Sequence, residues 1–294
     1  MARSTAPIRM SAPSWSQRKG ALVLEEYFYG YERDRPHQMR SLTKSVISLL
    51  AGAAVDRGLL RANESVVARL GFTSTENPDP RKDRITLTDL LSNQSGLDCD
   101  DRDGASRGNE VKLYDAADWP QAFMDLPVLA EPGTVGRYCS FGFMTAGRII
   151  ELAAATPLAA FAQDVLFGPL GLLARPVALG VRARSHPTER VRTDIPPAAR
   201  HAQAGPAVRQ RGVWQGQVIS ASWIDAAVAK VSRVDDSDYG LGDLASLVRC
   251  PDRQRHPSAW KRSCSPETAA RRPTSSVSSW SWRSPAAPSM ASRR

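Results

Sequence analysis

An α+β fold is what this sequence predicts, and two observations lead to it. Residues 21–29 (ALVLEEYFY) form an apolar, aromatic run ending at Gly30, which is the pattern of a strand. Between residues 41 and 166, apolar side chains instead recur with helical spacing in several stretches separated by turn residues. With 294 residues the chain is long enough to bury a substantial core, as one large domain or two.

Residues 1–20 carry no periodic pattern and read as irregular. Residues 41–58 predict a helix: Leu42, Val46, Leu49, Leu50 and Ala53 share one face, and Gly58 stands where a C-terminal glycine belongs. A second helix starts over residues 86–91 and stops around Ser95-Gly96. Residues 98–108, rich in Asp and Gly, form a polar loop. Residues 116–126 predict a helix with Trp119, Phe123 and Leu126 on one side. After the turn Glu131-Pro132-Gly133-Thr134, helices are expected over residues 140–154 and 158–166, the last closed by Gly168-Pro169-Leu170-Gly171. No internal repeat is visible. The coherent pattern ends near residue 176, returns over 212–243 with a turn and a helix around 222–230, and stops again from 244 to 294.

Composition excludes several classes. No stretch approaches the ~18 apolar residues of a membrane span, so no membrane span is expected. Arg3 and Arg9 precede no apolar segment, so no secretory leader is visible, and localisation and oligomeric state stay open. Cys99, Cys139, Cys250 and Cys264 show neither paired nor Cys/His ligand spacing, so neither a metal, a cofactor nor a disulfide framework is expected. The net charge of +9 is concentrated in two stretches. Residues 177–211 hold seven arginines against Glu189 and Asp194, and residues 244–294 hold ten Lys and Arg against Asp252 and Glu267. Both are rich in Pro, Ala and Ser and lack periodicity, so they are not stripes on a folded face and nucleic acid is not the expected partner.

The chemistry concentrates at Ser41 and Lys44. Residues three apart on a helix share a face, so the amine can approach the hydroxyl, and the helix N-terminus favours a developing oxyanion. Spacing alone also fits a plain N-cap serine beside a solvated lysine. Two further Ser/Lys pairs, Ser16 with Lys19 and Ser258 with Lys261, open no apolar-periodic helix; Ser41 does.

The run Met39-Arg40-Ser41-Leu42-Thr43-Lys44-Ser45 resembles the first motif of the serine β-lactamase and penicillin-binding-protein family, especially its class C-like and esterase branch. Residues 22–30 are similar to that family's early strand, and residues 85–97 (ITLTDLLSNQSGL) to its following helix and turn. Residues 131–151 resemble the segment bearing its second motif, Tyr-x-Asn or Tyr-x-Ser, here Tyr138-Cys139-Ser140. Residues 157–172 resemble the helix ending in Phe-x-Pro-Leu-Gly.

The resemblance implies an antiparallel sheet flanked by helices plus a helical subdomain. It also implies roles: Ser41 attacks a carbonyl and is acylated, Lys44 takes its proton, Tyr138 relays a proton, and Ser140 holds the lysine. The Ser41 N–H would supply half of an oxyanion hole. The alternative for Tyr138 is a core aromatic with a satisfied hydroxyl, while Cys139 reads as a small buried filler and Cys99 as a structural residue. His37, near Ser41 in sequence, lacks an identifiable carboxylate partner and reads as a surface or supporting residue. The implied substrate is a small ester, amide or β-lactam.

The family's third motif, on the strand beside the nucleophile, has no counterpart after Asp243. Residues 177–211 and 244–294 have the Arg/Pro/Ala/Ser bias of a GC-rich gene read out of frame, and alternate frames allow family-like continuations. The competing explanation is a natural basic insertion and tail. On the first reading the C-terminal strands are missing or scrambled, residues 21–29 expose an unpaired edge, and the chain is a weakened or inactive remnant of a serine hydrolase.

Overall fold

The helical periodicity that opens at Ser41 forms α1 (Leu42–Asp56), the centre of the fold. The sequence gives this helix one apolar face, yet the computed structural model buries every residue from Lys44 to Ala54. Side-chain size explains the difference. Ala51, Gly52, Ala53 and Ala54 are small enough for neighbours to close in on faces that a longer side chain would hold open. At Gly52 a methyl group would stand 2.4 Å from Trp223 Cδ1.

The structure describes residues 13–18, 21–27, 32, 37–38, 41–171, 194–195, 207–208, 210–235, 237–242, 244 and 277–280. The chain divides into two units, one comprising Met1–Pro36, Pro196–Gln203 and Cys250–Arg294, the other His37–Ile195 and Ala204–Arg249. In the larger unit α1 packs on α6 (Ser140–Ala154), which buries Phe141, Phe143, Ala146, Ile149 and Ile150. Around this pair stand α2 (Val66–Leu70), α3 (Leu87–Leu91), α4 (Glu110–Leu113), α5 (Trp119–Met124) and α7 (Leu158–Ala162).

The helix starts follow capping chemistry. Thr86 and Asp89 close a reciprocal capping box on α3, Asp118 accepts from Gln121 N on α5, and Ser65 accepts from Ala68 N on α2. The helix expected over 158–166 ends earlier, at Ala162, and continues as a wider π-type turn, Gln163–Phe167. α8 (Ala221–Val228) closes the remaining side of α1, its Trp223 Nε1 donating to Ser48 O at 3.0 Å. Beyond it, Ser45 Oγ donates to Gly242 O at 2.8 Å, and Gly242, at φ +75°, lies so close to Lys44 O and Ser48 Cβ that no side chain fits there.

Strands account for two corrections. Residues 1–20 are not wholly irregular: β1 (Pro13–Arg18) pairs antiparallel with β2 (Ala21–Tyr27), with a register shift between Ser16 and Gln17. A backbone ladder needs no apolar alternation, so PSWSQR carries little strand signal. The other edge of β1 pairs with β7 (Val277–Trp280), so the tail, in which no periodic pattern was read, supplies a strand. Among the described residues β2 is an edge strand of this sheet, paired with β1 along one side and with no strand along the other, as expected. In the larger unit β3 (His37–Gln38) pairs with β4 (Asp194–Ile195), and β5 (Ser232–Val234) forms a hairpin with β6 (Ser237–Tyr239). The rest of residues 177–206 and 245–294, on which the out-of-frame reading depends, lies outside the described residues.

Among the described residues no single helix is long and apolar enough to cross a membrane. The tight contact at Gly52 sets one expectation. Gly52→Ala should lower stability by about 1–3 kcal/mol through overpacking against Trp223, measured as a lower urea midpoint with an unchanged slope.

Candidate active site

Ser41 sits at the N-terminus of α1 with helical dihedrals (φ −66°, ψ −14°), and its side chain makes no capping hydrogen bond. Its oxygen instead accepts from Tyr138 OH at 2.7 Å, across 97 residues of chain. Lys44 is not the solvated lysine of the plain N-cap reading. It is 6% exposed, donates to Ser140 Oγ at 2.9 Å, and holds its Nζ 4.5 Å from the Tyr138 ring centroid. Phe143, one turn along α6 from Ser140, brings a second ring to within 5.8 Å of the same amine.

All four residues singled out in the sequence thus meet: Ser41 and Lys44 from the start of α1, Tyr138 and Ser140 from the start of α6. One detail differs from the spacing argument. The hydroxyl in hydrogen-bond contact with Ser41 is that of Tyr138, while Lys44 lies against the Tyr138 ring and Ser140.

Two residues that the sequence reading passed over hold the second motif in place. Asn93, at φ +60°, accepts from Arg137 N through its backbone carbonyl and from Cys139 N through Oδ1 at 3.1 Å. Asp101 Oδ2 accepts from both Ser140 Oγ at 2.6 Å and Ser140 N at 2.8 Å, and Asp101 N donates to Tyr138 O at 2.8 Å. Asp101 is positioned by its own loop: buried Asn109 donates to the carbonyls of Asp100, Asp101 and Asp103, and Ser106 Oγ donates to Asp98 O. The available sequence signal was the density of Asp98, Asp100, Asp101 and Asp103 beside a motif-bearing segment, but density alone does not say which carboxylate turns inward.

Burial pushes the Asp101 carboxyl above the usual aspartate range. The Ser140 hydrogen bonds and the Lys44 charge pull it down, while Glu110 adds to the rise. Of the other sequence candidates, His37 contributes its backbone to β3 opposite Ile195, and Ser16 lies in β1 rather than at a helix start. Ser258 and Lys261 lie outside the described residues.

The β-lactamase family model matches residues 16–261. The chain belongs to the β-lactamase family.

Among its relatives in that family, penicillin-binding protein 4 of Amycolatopsis lactamdurans is 32% identical over 140 residues, covering 47% of this chain and 35% of that protein. Esterase EstB of Burkholderia gladioli is 26% identical over 148 residues, covering 47% of this chain and 38% of that protein. The matched region thus spans little more than a third of either relative's length. Among solved structures, EstCE1, described as a hydrolase with promiscuous acyltransferase activity, superposes with a TM-score of 0.63 at 17% identity, covering 83% of this chain and 81% of its own. This last likeness establishes the β-lactamase fold.

One expectation about this β-lactamase-family site is overturned. Cys99 and Cys139 form a disulfide, with Cα atoms 5.5 Å apart. Forty residues separate them in sequence, which is why spacing gave no hint. They meet because Asp98 N bonds Pro127 O and Asp101 N bonds Tyr138 O, laying the acidic loop along the second motif. Cys139 is therefore neither a free filler nor a thiol; it also caps α6, accepting from Gly142 N.

The Arg102 guanidinium also lies over the Tyr138 ring, 4.7 Å from its centroid, and is ion-paired to Asp235. Closing a loop of 40 residues is worth about 4 kcal/mol on a chain-entropy basis. Replacing both Cys99 and Cys139 by Ser should therefore cost about 2–4 kcal/mol in urea unfolding, and the native chain should lose the same amount on reduction with dithiothreitol.

Proposed function

We propose that this chain is a serine hydrolase acting through an acyl-enzyme on an ester, amide or β-lactam carbonyl, an esterase or general hydrolase rather than a dedicated β-lactamase. The supporting observation is the Tyr138–Ser41 hydrogen bond of 2.7 Å beside the buried Lys44–Ser140 pair. A cap serine has no need of a phenol, and a structural lysine has no need of a buried serine beside a nucleophile-like oxygen. The likeness to esterase EstB supports the esterase reading.

In the proposed reaction Ser41 Oγ attacks the substrate carbonyl while its proton leaves through Tyr138 toward Lys44. The tetrahedral oxyanion is met by the Ser41 N–H at the positive end of α1. As the intermediate collapses, the carbonyl–leaving-group bond breaks and Tyr138 passes the proton from Lys44 to the departing oxygen or nitrogen. Ser41 then carries the acyl group. A water molecule, losing its proton along the same route, attacks the acyl carbonyl; the acid leaves and Ser41 regains its hydrogen. Ser140 keeps the amine in place throughout.

Intact-mass spectrometry after incubation with a fluorophosphonate tests this reading. One adduct is expected, absent in Ser41→Ala. Lys44→Ala and Tyr138→Phe should react more slowly by about 10²–10⁴-fold. A correct mass without adduct would instead support the inactive-remnant alternative.

A further inference from the structure

We infer that Asp101 is a positioning residue that fixes the direction of the hydrogen-bond chain Lys44–Ser140–Asp101 and so holds the Lys44 amine beside Tyr138. The inference deepens the serine hydrolase reading and rests on it.

A serine hydroxyl has one proton and two acceptor lone pairs, whereas an ionised carboxylate only accepts. Ser140 Oγ lies 2.6 Å from Asp101 Oδ2 and 2.9 Å from Lys44 Nζ. The carboxylate claims the hydroxyl proton, so toward Lys44 the serine can only accept. With Asp101 in place, Ser140 accepts from Lys44, whose Nζ is held 4.5 Å from the Tyr138 ring centroid.

The carboxylate is built for this task. Its Oδ2 also accepts from Ser140 N at 2.8 Å, its Oδ1 accepts from Glu110 N at 3.2 Å, and its own N–H donates to Tyr138 O at 2.8 Å. A carboxylate fixed at both oxygens and at its backbone cannot rotate away when the lysine changes charge. Its partial burial, which raises its pKa, adds a directional signature. In acid, protonated Asp101 becomes a donor and the polarity of the chain is lost. The charged and titratable groups facing it are Lys44 from α1, Glu110 from α4, and Tyr138 at the start of α6.

The test uses the full chain and its Asp101→Asn, Ser140→Ala and doubly substituted variants. It compares p-nitrophenyl butyrate turnover, the rate of labelling by diisopropyl fluorophosphate, and urea midpoints. Asp101→Asn should lower kcat and the labelling rate about 10–100-fold, as loss of a partner that orients a functional group commonly does, with KM changed less than about threefold. In the Ser140→Ala background the same change should cost nothing further, because the hydroxyl it orients is gone. An unchanged rate, a rise in KM alone, or losses that multiply in the double variant would overturn the inference.

If the native chain neither labels nor turns over ester, the hydrolase reading fails, and Asp101 is judged separately. The Ser140 amide signal in ¹H–¹⁵N spectra of the native chain should follow an acidic titration that Asp101→Asn removes. That spectrum also decides the matter should the variant fail to fold. A Ser140 amide indifferent to acid would mean that the carboxylate does not hold this residue.

Discussion

An amine cannot be taken out of water cheaply, and this fold takes Lys44 down to 6% exposure at the first turn of its central helix. An isolated charge in such a place would cost several kcal/mol. The surroundings answer that cost with a serine oxygen, the faces of two aromatic rings and, behind the serine, a carboxylate. They arrive from three structural devices. The serine and one ring come from the start of α6, the other ring from the turn just before it, and the carboxylate from a loop stitched by Asn109. The arrangement of α1, α6 and the acidic loop can be read as what is needed to bury one lysine without stranding it.

The same demand explains the composition of α1. A helix buried on one face may carry polar residues elsewhere, but one buried all round must be narrow. The run Ala51-Gly52-Ala53-Ala54 provides this, at the expense of helix propensity at Gly52. The neighbours then fill the space: Trp223 lies over the glycine and Gly242 lies against the Lys44 carbonyl. Through these contacts the segment 212–242 is part of the support for the site.

Much of this was legible in the sequence, and for identifiable reasons. Ser41, Lys44, Tyr138 and Ser140 sit at helix starts, where apolar periodicity, caps and short motifs reinforce one another, and α6 begins and ends where its periodicity says it should. What escaped depends on pairing between distant segments. β1 is nearly devoid of apolar alternation, so only its partners reveal it as a strand. Cys99 and Cys139 share no spacing rule, and become partners only once the acidic loop lies along the second motif. Asp101 is one of four aspartates in a short run, and nothing local separates the one that bonds Ser140 from the other three. The narrowness of α1 was visible as a string of small residues, but its meaning required knowing that Trp223 would land on Gly52.

That landing has a consequence for how the protein is made. Ser48 and Trp223 are 175 residues apart, whereas Ser41 and Tyr138 are 97 apart. On a ribosome the residues of the candidate site are all synthesised well before the element that covers the back of α1. For that interval the Gly52 side of the helix is an uncovered apolar groove on a half-finished chain, the kind of surface that invites association with other nascent chains or with a chaperone. Contacts of such long sequence separation also slow folding after release. The closeness of α1 to Trp223 thus makes the nascent chain most vulnerable just after its chemistry has been assembled and before its core is closed.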